Sequence, residues 1–372
     1  MRLYEFILRR LFLMIFVLFA ISVITFILTR GILPPASAVS GYLHLGLSDT
    51  GKLDIAQGVG VATRSCPSWS AFIDNHAGCV VPLYQQYFYW LGDVLRGDWG
   101  WSNLPNDFGV YPTLAAFSDR FPYTVQLAVF SAILTLVIGF SLGIISATRA
   151  NKLPDHLSRL TAIIGYSIPA FWFGLLLQLL VVYYLTFNGF SLFPVSGALG
   201  TQCAICIANP GTIHAYTTIP VLDSLLSGNL AYLWDTIVAM VLPAITLSIT
   251  TVAFLSRILR SSMVEALSQD YITLARSKGL RERVVVYRHA LRNAILPAIT
   301  VSGLIFSSFL GGVIVVELIF NYPGIGSVAR DATVALDVNF LELYVLVSAF
   351  IIVSANLIVD ILYAFLDPRI RY

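Results

Sequence analysis

Hydrophobic and polar positions alternate along this chain in long blocks, not in the short periods of a soluble domain. Each long apolar block contains enough uncharged residues to cross the roughly 30 Å hydrocarbon core of a bilayer. We therefore predict an all-α membrane protein with six spanning helices, at about residues 11–28, 124–147, 160–187, 235–257, 291–316 and 343–366. Pro169 lies inside the third predicted span, where its ring and missing N–H are expected to kink the helix; Pro243 lies inside the fourth.

The first apolar run has two interpretations. It follows Arg9 and Arg10, so a cleaved signal peptide with a basic end is one of them. The apolar run of a signal peptide is normally shorter, and no small-residue cleavage site follows directly. We predict that residues 1–33 are a cytoplasmic tail followed by an uncleaved first span.

Two long polar regions, residues 34–121 and about 188–230, interrupt the apolar blocks, and residues 122–372 contain the core membrane domain. Cytoplasmic loops of membrane proteins are enriched in Lys and Arg. If both termini are cytoplasmic, most of the 22 Lys and Arg residues lie on the inner side, including those of a basic loop at about 257–292. The six that then lie on the outer side are Arg30, Lys52, Arg64, Arg96, Arg120 and Arg330. We therefore predict a multi-pass plasma-membrane protein whose two long polar regions are extracellular.

Composition narrows the function classes. Hydrophobic residues make up 58% of the chain, charged residues 11%, and the mean hydropathy is +0.82, whereas soluble domains carry roughly 25% charged residues.

The sequence contains no nucleophile elbow, zinc-protease helix, phosphate-binding glycine loop or dinucleotide fingerprint. We predict no catalytic residue, cofactor site or metal site, and the orientation bias explains the basic charge without nucleic acid. A channel or a membrane enzyme would need a filter loop or clustered acids, and the acids here are dispersed.

All four cysteines lie in predicted outer regions, where thiols can oxidise. A Cys66–Cys79 disulfide is one candidate, and a tighter Cys203–Cys206 bridge is another. Four cysteines allow three pairings, and the sequence does not choose among them. Cys203 and Cys206 also form a C-x-x-C pair, for which a redox or zinc role is the weaker alternative.

The basic segment at residues 263–297, here called the coupling segment, contains a short helical pattern. Asp270 is expected to cap this helix, because its carboxylate can accept from free N–H groups of the first turn. Tyr271, Leu274 and Ala275 recur at i, i+3 and i+4 and are predicted to share one face. Gly279 follows this pattern, at the position where helices commonly end with a residue in the left-handed conformation. Such a helix suits docking on a soluble partner; an ordinary cytoplasmic loop is the alternative.

The coupling segment resembles the permease subunits of ATP-binding-cassette importers in the dipeptide, oligopeptide and nickel branch, in particular the first permease of each pair. The matching residues are DYITLARSKGL (270–280) and RHALRNAILP (288–297). Further matches include RGDWGWS (96–102), RFPYTVQLA (120–128), YSIPAFWFGLLL (166–177), FPVSGA (193–198), LPAITL (242–247), GGVIVVELIFNYPGIG (311–326) and NLIVDILYAFLDPRIR (356–371).

This resemblance implies a type I importer permease fold that works by alternating access. The implied partners are a second permease, two ATPase subunits that bind ATP and Mg, and an extracellular solute-binding protein. Peptides are the implied substrate, with oligosaccharides or nickel as alternatives. The residues implied to couple to the ATPase are Asp270, Tyr271, Leu274, Ala275, Arg276, Lys278 and Gly279. Candidate pathway or gate residues are Tyr166, Pro169, Trp172, Pro243, Glu317 and Asn321.

The chain departs from the family pattern in three places. LPPASA (33–38) stands where the family has a PGDP-like segment, and the outer loops at about 41–82 and 201–220 are longer than usual. Thr273, Leu274 and Ala275 occupy the place of the Glu-Ala-Ala that opens the general importer motif. We expect the docking surface to be preserved, and the first two departures to bear on the substrate and the binding-protein contact.

Overall fold

The predicted helices are present in the computed structural model, which describes residues 3–42, 47–74, 78–102, 104, 111–186, 193–197 and 217–366. In chain order the helices are α1 Leu3–Ile32, α2 Asp49–Gly58, α3 Trp69–Ile73, α4 Leu83–Leu95, α5 Thr113–Thr148, α6 Leu153–Ser167, α7 Ala170–Leu180, α8 Pro220–Leu226, α9 Leu230–Leu267, α10 Asp270–Ser277, α11 Glu282–Val284, α12 Leu291–Ile319, α13 Ile325–Val334 and α14 Val338–Leu366. A 3₁₀ helix spans Pro35–Tyr42, and π-helical segments span Val181–Thr186 and Val285–Ala290.

Among the described residues, the strands are β1 Trp101–Ser102 and β2 Tyr111–Pro112, which pair antiparallel. Trp101 lies opposite Pro112, and Ser102 lies opposite Tyr111. The fold is therefore helical, as the sequence predicts.

Five helices in the described part of the chain are long and apolar enough to cross a membrane, or six if one bent pair counts as a single span. Several of these helices extend well beyond their apolar runs. α5 begins at Thr113 and α9 runs without a break from Leu230 to Leu267. At 1.5 Å per residue, the 38 residues of α9 extend about 57 Å, roughly twice the hydrocarbon thickness. The helix therefore continues as a rod outside the bilayer.

The third span is broken rather than kinked. α6 ends at Ser167, α7 begins at Ala170, and the two axes differ by 106°. Ile168 is extended, with φ −90° and ψ 124°, the conformation that a following proline favours. The sequence prediction of a kink at Pro169 thus understates the effect, because a proline also restricts the residue before it.

The described chain divides into two compact units. The first contains residues 1–8, 123–323 and 352–372. Its apolar core is formed mainly by α5, α9 and α12 and includes Leu127, Met240, Leu255, Leu259 and Phe309. Gly139 and Gly143 allow α5 to approach α9, since a Cβ at either position would lie 2.9 Å from Leu255 or Leu259. Small residues spaced four apart are a common device for close packing of membrane helices.

The second unit contains residues 9–122 and 324–351. In it, α4 packs on α1 through an aromatic cluster in which Phe26 lies 5.3 Å from the ring centroids of Tyr87 and Trp90. Glu342 accepts hydrogen bonds from Arg30 Nε at 3.0 Å and from Thr29 Oγ1 at 2.9 Å. These buried contacts join α1 to α14.

Residues 35–81, here called the disulfide subdomain, contain more regular structure than a polar loop. Ser48 caps α2 and Ser68 caps α3, each accepting from a backbone N–H of the first turn. A small apolar core forms around Val39, Ala56 and Phe72, together with both cysteines of the Cys66–Cys79 disulfide. The subdomain thus has a core of its own.

Candidate functional site: the coupling segment

The helix α10 has two apolar faces that point in different directions. Ile272 and Ala275 are 0% and 6% exposed and belong to the core of the first unit, together with Val285 and Val286. Tyr271 and Leu274 are 38% and 57% exposed. The prediction that Ala275 shares an outward face with Tyr271 and Leu274 is wrong, because Ala275 lies one turn from Ile272 and packs inward with it.

The N-terminus of α10 also differs from its prediction. Gln269 occupies the N-cap position, with φ −77° and ψ 153°, and its side chain makes no capping hydrogen bond. Asp270 is the first helical residue, so it does not serve as the cap. Its carboxylate still lies in the first turn, where negative charge is stabilised by the helix dipole.

The C-terminus of α10 closes as the sequence predicts. Gly279 has φ +75°, and its N–H donates to the carbonyl of Arg276 at 2.9 Å. Leu280 N–H donates to the carbonyl of Ala275 at 3.4 Å, which completes a Schellman motif. A Cβ on Gly279 would meet no atom within 4 Å, so a substitution here acts through backbone conformation and not through a clash.

Two side-chain contacts fasten α10 to the elements that follow it. Arg276 donates from Nη2 and Nε to Glu282 at 2.7 and 3.2 Å, and this pairing raises the pKa of Arg276 above its usual value. Asn293 Nδ2 donates to Tyr271 Oη at 3.0 Å. Lys278 is exposed at the end of the helix. The coupling helix is thus held on its inner side and at its end, while Leu274 remains exposed.

A buried carboxylate close to the basic loops was missed by the sequence analysis. Asp155 accepts from Arg260 Nε at 2.6 Å, Arg159 Nη2 at 2.6 Å, Ser146 Oγ at 2.5 Å and the backbone N–H of Asn151 at 2.8 Å. These bonds tie the end of α5 to α6 and α9. The i,i+4 spacing to Arg159 is visible in the sequence, but the 105-residue separation from Arg260 carries no local signal.

The predicted pathway residues lie on α6 and α7 around their break, inside α9, and at or just after the end of α12. Tyr166 lines a cavity between α6 and α9, and that lining does not include the other five. Pro169 and Trp172 are exposed at the start of α7, whereas Pro243 is buried inside α9. Glu317 is buried and accepts from Thr124 Oγ1 at 2.7 Å. Asn321 is exposed in a turn with φ +46°.

The predicted cysteine pairs fall in two different parts of the chain. Cys66 and Cys79 form a disulfide in the second unit, with Cα atoms 4.5 Å apart. Cys203 and Cys206 lie outside the described residues.

The chain matches the family model for the inner membrane component of binding-protein-dependent transport systems over residues 139–372, which include the whole coupling segment. It is 34% identical over 370 residues to the dipeptide transport system permease protein DppB of Alkalihalophilus pseudofirmus, covering 98% of each chain. It is 37% identical over 303 residues to the oligopeptide transport system permease protein AppB of Bacillus subtilis, covering 81% of this chain and 84% of the relative.

A third relative is the dipeptide transport system permease protein DppB of Escherichia coli K12, with 36% identity over 291 residues, 78% of this chain and 82% of the relative. Together with the helical architecture and the apolar spans, these matches establish the kind of protein. The chain belongs to the family of binding-protein-dependent transport system inner membrane components, the permease subunits of ATP-binding-cassette importers.

Proposed function

We propose that this chain is the first permease of a peptide importer and forms half of the pathway for di- or oligopeptides. The relatives covering most of both chains are named as dipeptide and oligopeptide permeases, which favours peptides over oligosaccharides or nickel. The main support for the mechanism is the geometry of α10. One side of this helix packs in the core of the spans, and Leu274 is exposed on the other side.

The proposed complex contains a second, homologous permease, two ATPase subunits and a solute-binding protein on the outer side. ATP and Mg are bound by the ATPase subunits, and this chain carries no cofactor. Both termini and the coupling segment are cytoplasmic, an orientation supported by the distribution of Lys and Arg.

Coupling follows from the continuity of the helices. Ser268 and Gln269 alone separate α9 from α10, and the backbone N–H of Gln269 donates to the Ala266 carbonyl at 3.3 Å. The ATPase binds the outward surface of α10 around Leu274, with Tyr271 and Lys278 at its edges. Closure of the ATPase pair on ATP moves α10, and α9 and α12 follow because Ile272 and Ala275 pack in the same core.

The test replaces Leu274 with glutamate, which puts a charge on the exposed docking surface without disturbing the core. Leu274→Met is the matched control, because it keeps an apolar side chain of similar volume. In reconstituted vesicles, Leu274→Glu is expected to lose copurified ATPase and peptide uptake, while Leu274→Met retains both. Normal association and uptake in Leu274→Glu would exclude this docking surface, and failure of the wild-type complex to import any peptide would exclude the substrate.

A further inference from the structure

A cavity of about 380 Å³ lies between α6 and α9 and has three arginines in its lining. Its size falls in the range of small-molecule sites, which are commonly 300–1,000 Å³. Much of the wall is apolar, with polar groups from the arginines and from three serines. The lining residues that matter below are Arg159, Tyr166, Phe254, Arg257 and Arg260.

Two of these arginines share one carboxylate. Arg159 and Arg260 both donate to Asp155, with closest N–O distances of 2.6 Å in each pair. One carboxylate balances one of the two guanidinium charges, so this part of the wall retains positive charge. The arrangement also holds both guanidinium groups in place.

Arg257 is held differently. Its Cζ atom lies 5.6 Å from the ring centroid of Tyr166 and 5.7 Å from that of Phe254. Aromatic faces attract and orient a guanidinium group but do not neutralise its charge. A planar guanidinium oriented in this way can still bind a carboxylate with two parallel hydrogen bonds.

The cavity is also next to the broken span. Tyr166 and Ser167 line it, and they are the last residues of α6 before the break at Ile168 and Pro169. In many transporters, discontinuous helices form the solute site, because their ends present unpaired backbone groups. This position favours a transported solute over a lipid headgroup.

We propose that Arg257, oriented by Tyr166 and Phe254, binds the terminal carboxylate of a peptide during its passage through the permease. This inference rests on the proposed peptide import. It assigns to the permease a contribution to selection among peptides that is separate from that of the solute-binding protein.

The experiment compares alanylalanine with its C-terminal amide in vesicles containing the complete complex. The solute-binding protein is saturated with either peptide, so its own affinity does not set the rate. Wild-type complex is expected to import the free acid about tenfold faster than the amide, since a hydrogen-bonded charge pair commonly contributes that factor. Equal rates in the wild type would overturn the inference without using any variant.

The variants then assign the preference to one side chain. Arg257→Gln is expected to bring the acid-to-amide ratio close to one, and Arg257→Lys to keep part of the preference through its charge. Lys152→Gln is the matched control, because it removes one exposed cation just before α6 and outside the cavity. Copurified ATPase shows that each variant is assembled.

The outcomes separate this inference from the proposed function. If wild-type complex imports neither peptide, the proposed substrate fails. The carboxylate site is excluded if the wild-type complex imports both peptides and Arg257→Gln keeps the wild-type acid-to-amide ratio. It is also excluded if Lys152→Gln lowers this ratio as much as Arg257→Gln does. A lipid site would show an unchanged ratio in Arg257→Gln, together with loss of a dependence on phosphatidylglycerol in the vesicles, and would overturn the inference.

Discussion

The coupling segment and the disulfide subdomain are both polar interruptions between apolar spans, but they are stabilised in different ways. Ile272, Ala275 and Val285 of the coupling segment belong to the same apolar core as Leu255 and Phe309 of the spans. The disulfide subdomain has a separate core, closed covalently by Cys66 and Cys79. A shared core transmits displacement, whereas a separate core allows a region to keep its shape while the rest of the chain moves.

The largest effect is expected at the shared core. Ala275→Glu would bury a charge beside Ile272 and Val285, and an uncompensated buried charge commonly costs about 3–5 kcal/mol. Thr273→Glu is the control, because Thr273 is exposed on the same short helix. We expect a marked loss of thermal stability for Ala275→Glu and little change for Thr273→Glu, measured in detergent. Similar stability of the two variants would show that α10 is not part of the core.

A comparable loss is expected at the buried carboxylate of the first unit. Asp155→Ala leaves Arg260 and Arg159 without their shared partner. Their side chains are 22% and 43% exposed, so the loss corresponds to broken charged hydrogen bonds, about 1.5–3 kcal/mol. The same measurement applies, with Asp49→Ala as the control, since Asp49 pairs with Lys52 at an exposed position. An unchanged melting temperature in Asp155→Ala would show that this cluster does not stabilise the packing of α5, α6 and α9.

Removing the disulfide tests whether the disulfide subdomain is stabilised independently of the coupling segment. A loop closed over 13 residues contributes about 3 kcal/mol in the chain-entropy model. Replacing Cys66 and Cys79 together with serine should therefore increase proteolysis within residues 35–81, while copurified ATPase stays at the wild-type level. Loss of ATPase association in this variant would show that the two regions are not independent.

A smaller effect is expected at the end of the coupling helix. Gly279→Val forces a β-branched residue into a left-handed conformation, at a cost of about 1–2 kcal/mol. Gly279→Asn is the control, because asparagine tolerates this conformation. Gly279→Val should reduce uptake more than ATP hydrolysis, and Gly279→Asn should retain coupling. Equal coupling in both variants would mean that the Schellman motif does not position the docking surface.

Features of the fold that depend on a local sequence pattern were predictable from the sequence. Runs of uncharged apolar residues located the spans, and Gly279 marked the end of α10 because a left-handed termination depends on one residue. The rotation of α10 was not predictable in this way. Tyr271, Leu274 and Ala275 are all compatible with an apolar face. Which of them turns inward depends on packing in the core shared with Val285 and Val286 of the next helical segment, which the periodicity of α10 does not encode.

Contacts between residues that are distant in sequence were likewise not predictable from local patterns. The partner of Asp155 on α9 is far away in sequence, and burial of the ion pair has no periodic signature. The disulfide subdomain is rich in turn residues, so its short helices were hidden within an apparently polar region. α4 is fixed by the contacts of Tyr87 and Trp90 with Phe26 on α1, which again join distant segments.

The proposed coupling requires α9 and the coupling segment to move together, and a distance measurement in the complete complex tests this directly. Spin labels would be attached at Ser261 on α9 and at Arg281 after α10, both exposed, with Cys203 and Cys206 replaced. Pulsed electron–electron double resonance would measure the distance between the two labels in the nucleotide-free and ATP-bound states. We expect the mean distance to stay within the width of its distribution in both states while uptake proceeds. A shift of the mean beyond that width would show that the coupling segment bends away from α9, and would contradict a shared core as the path of transmission.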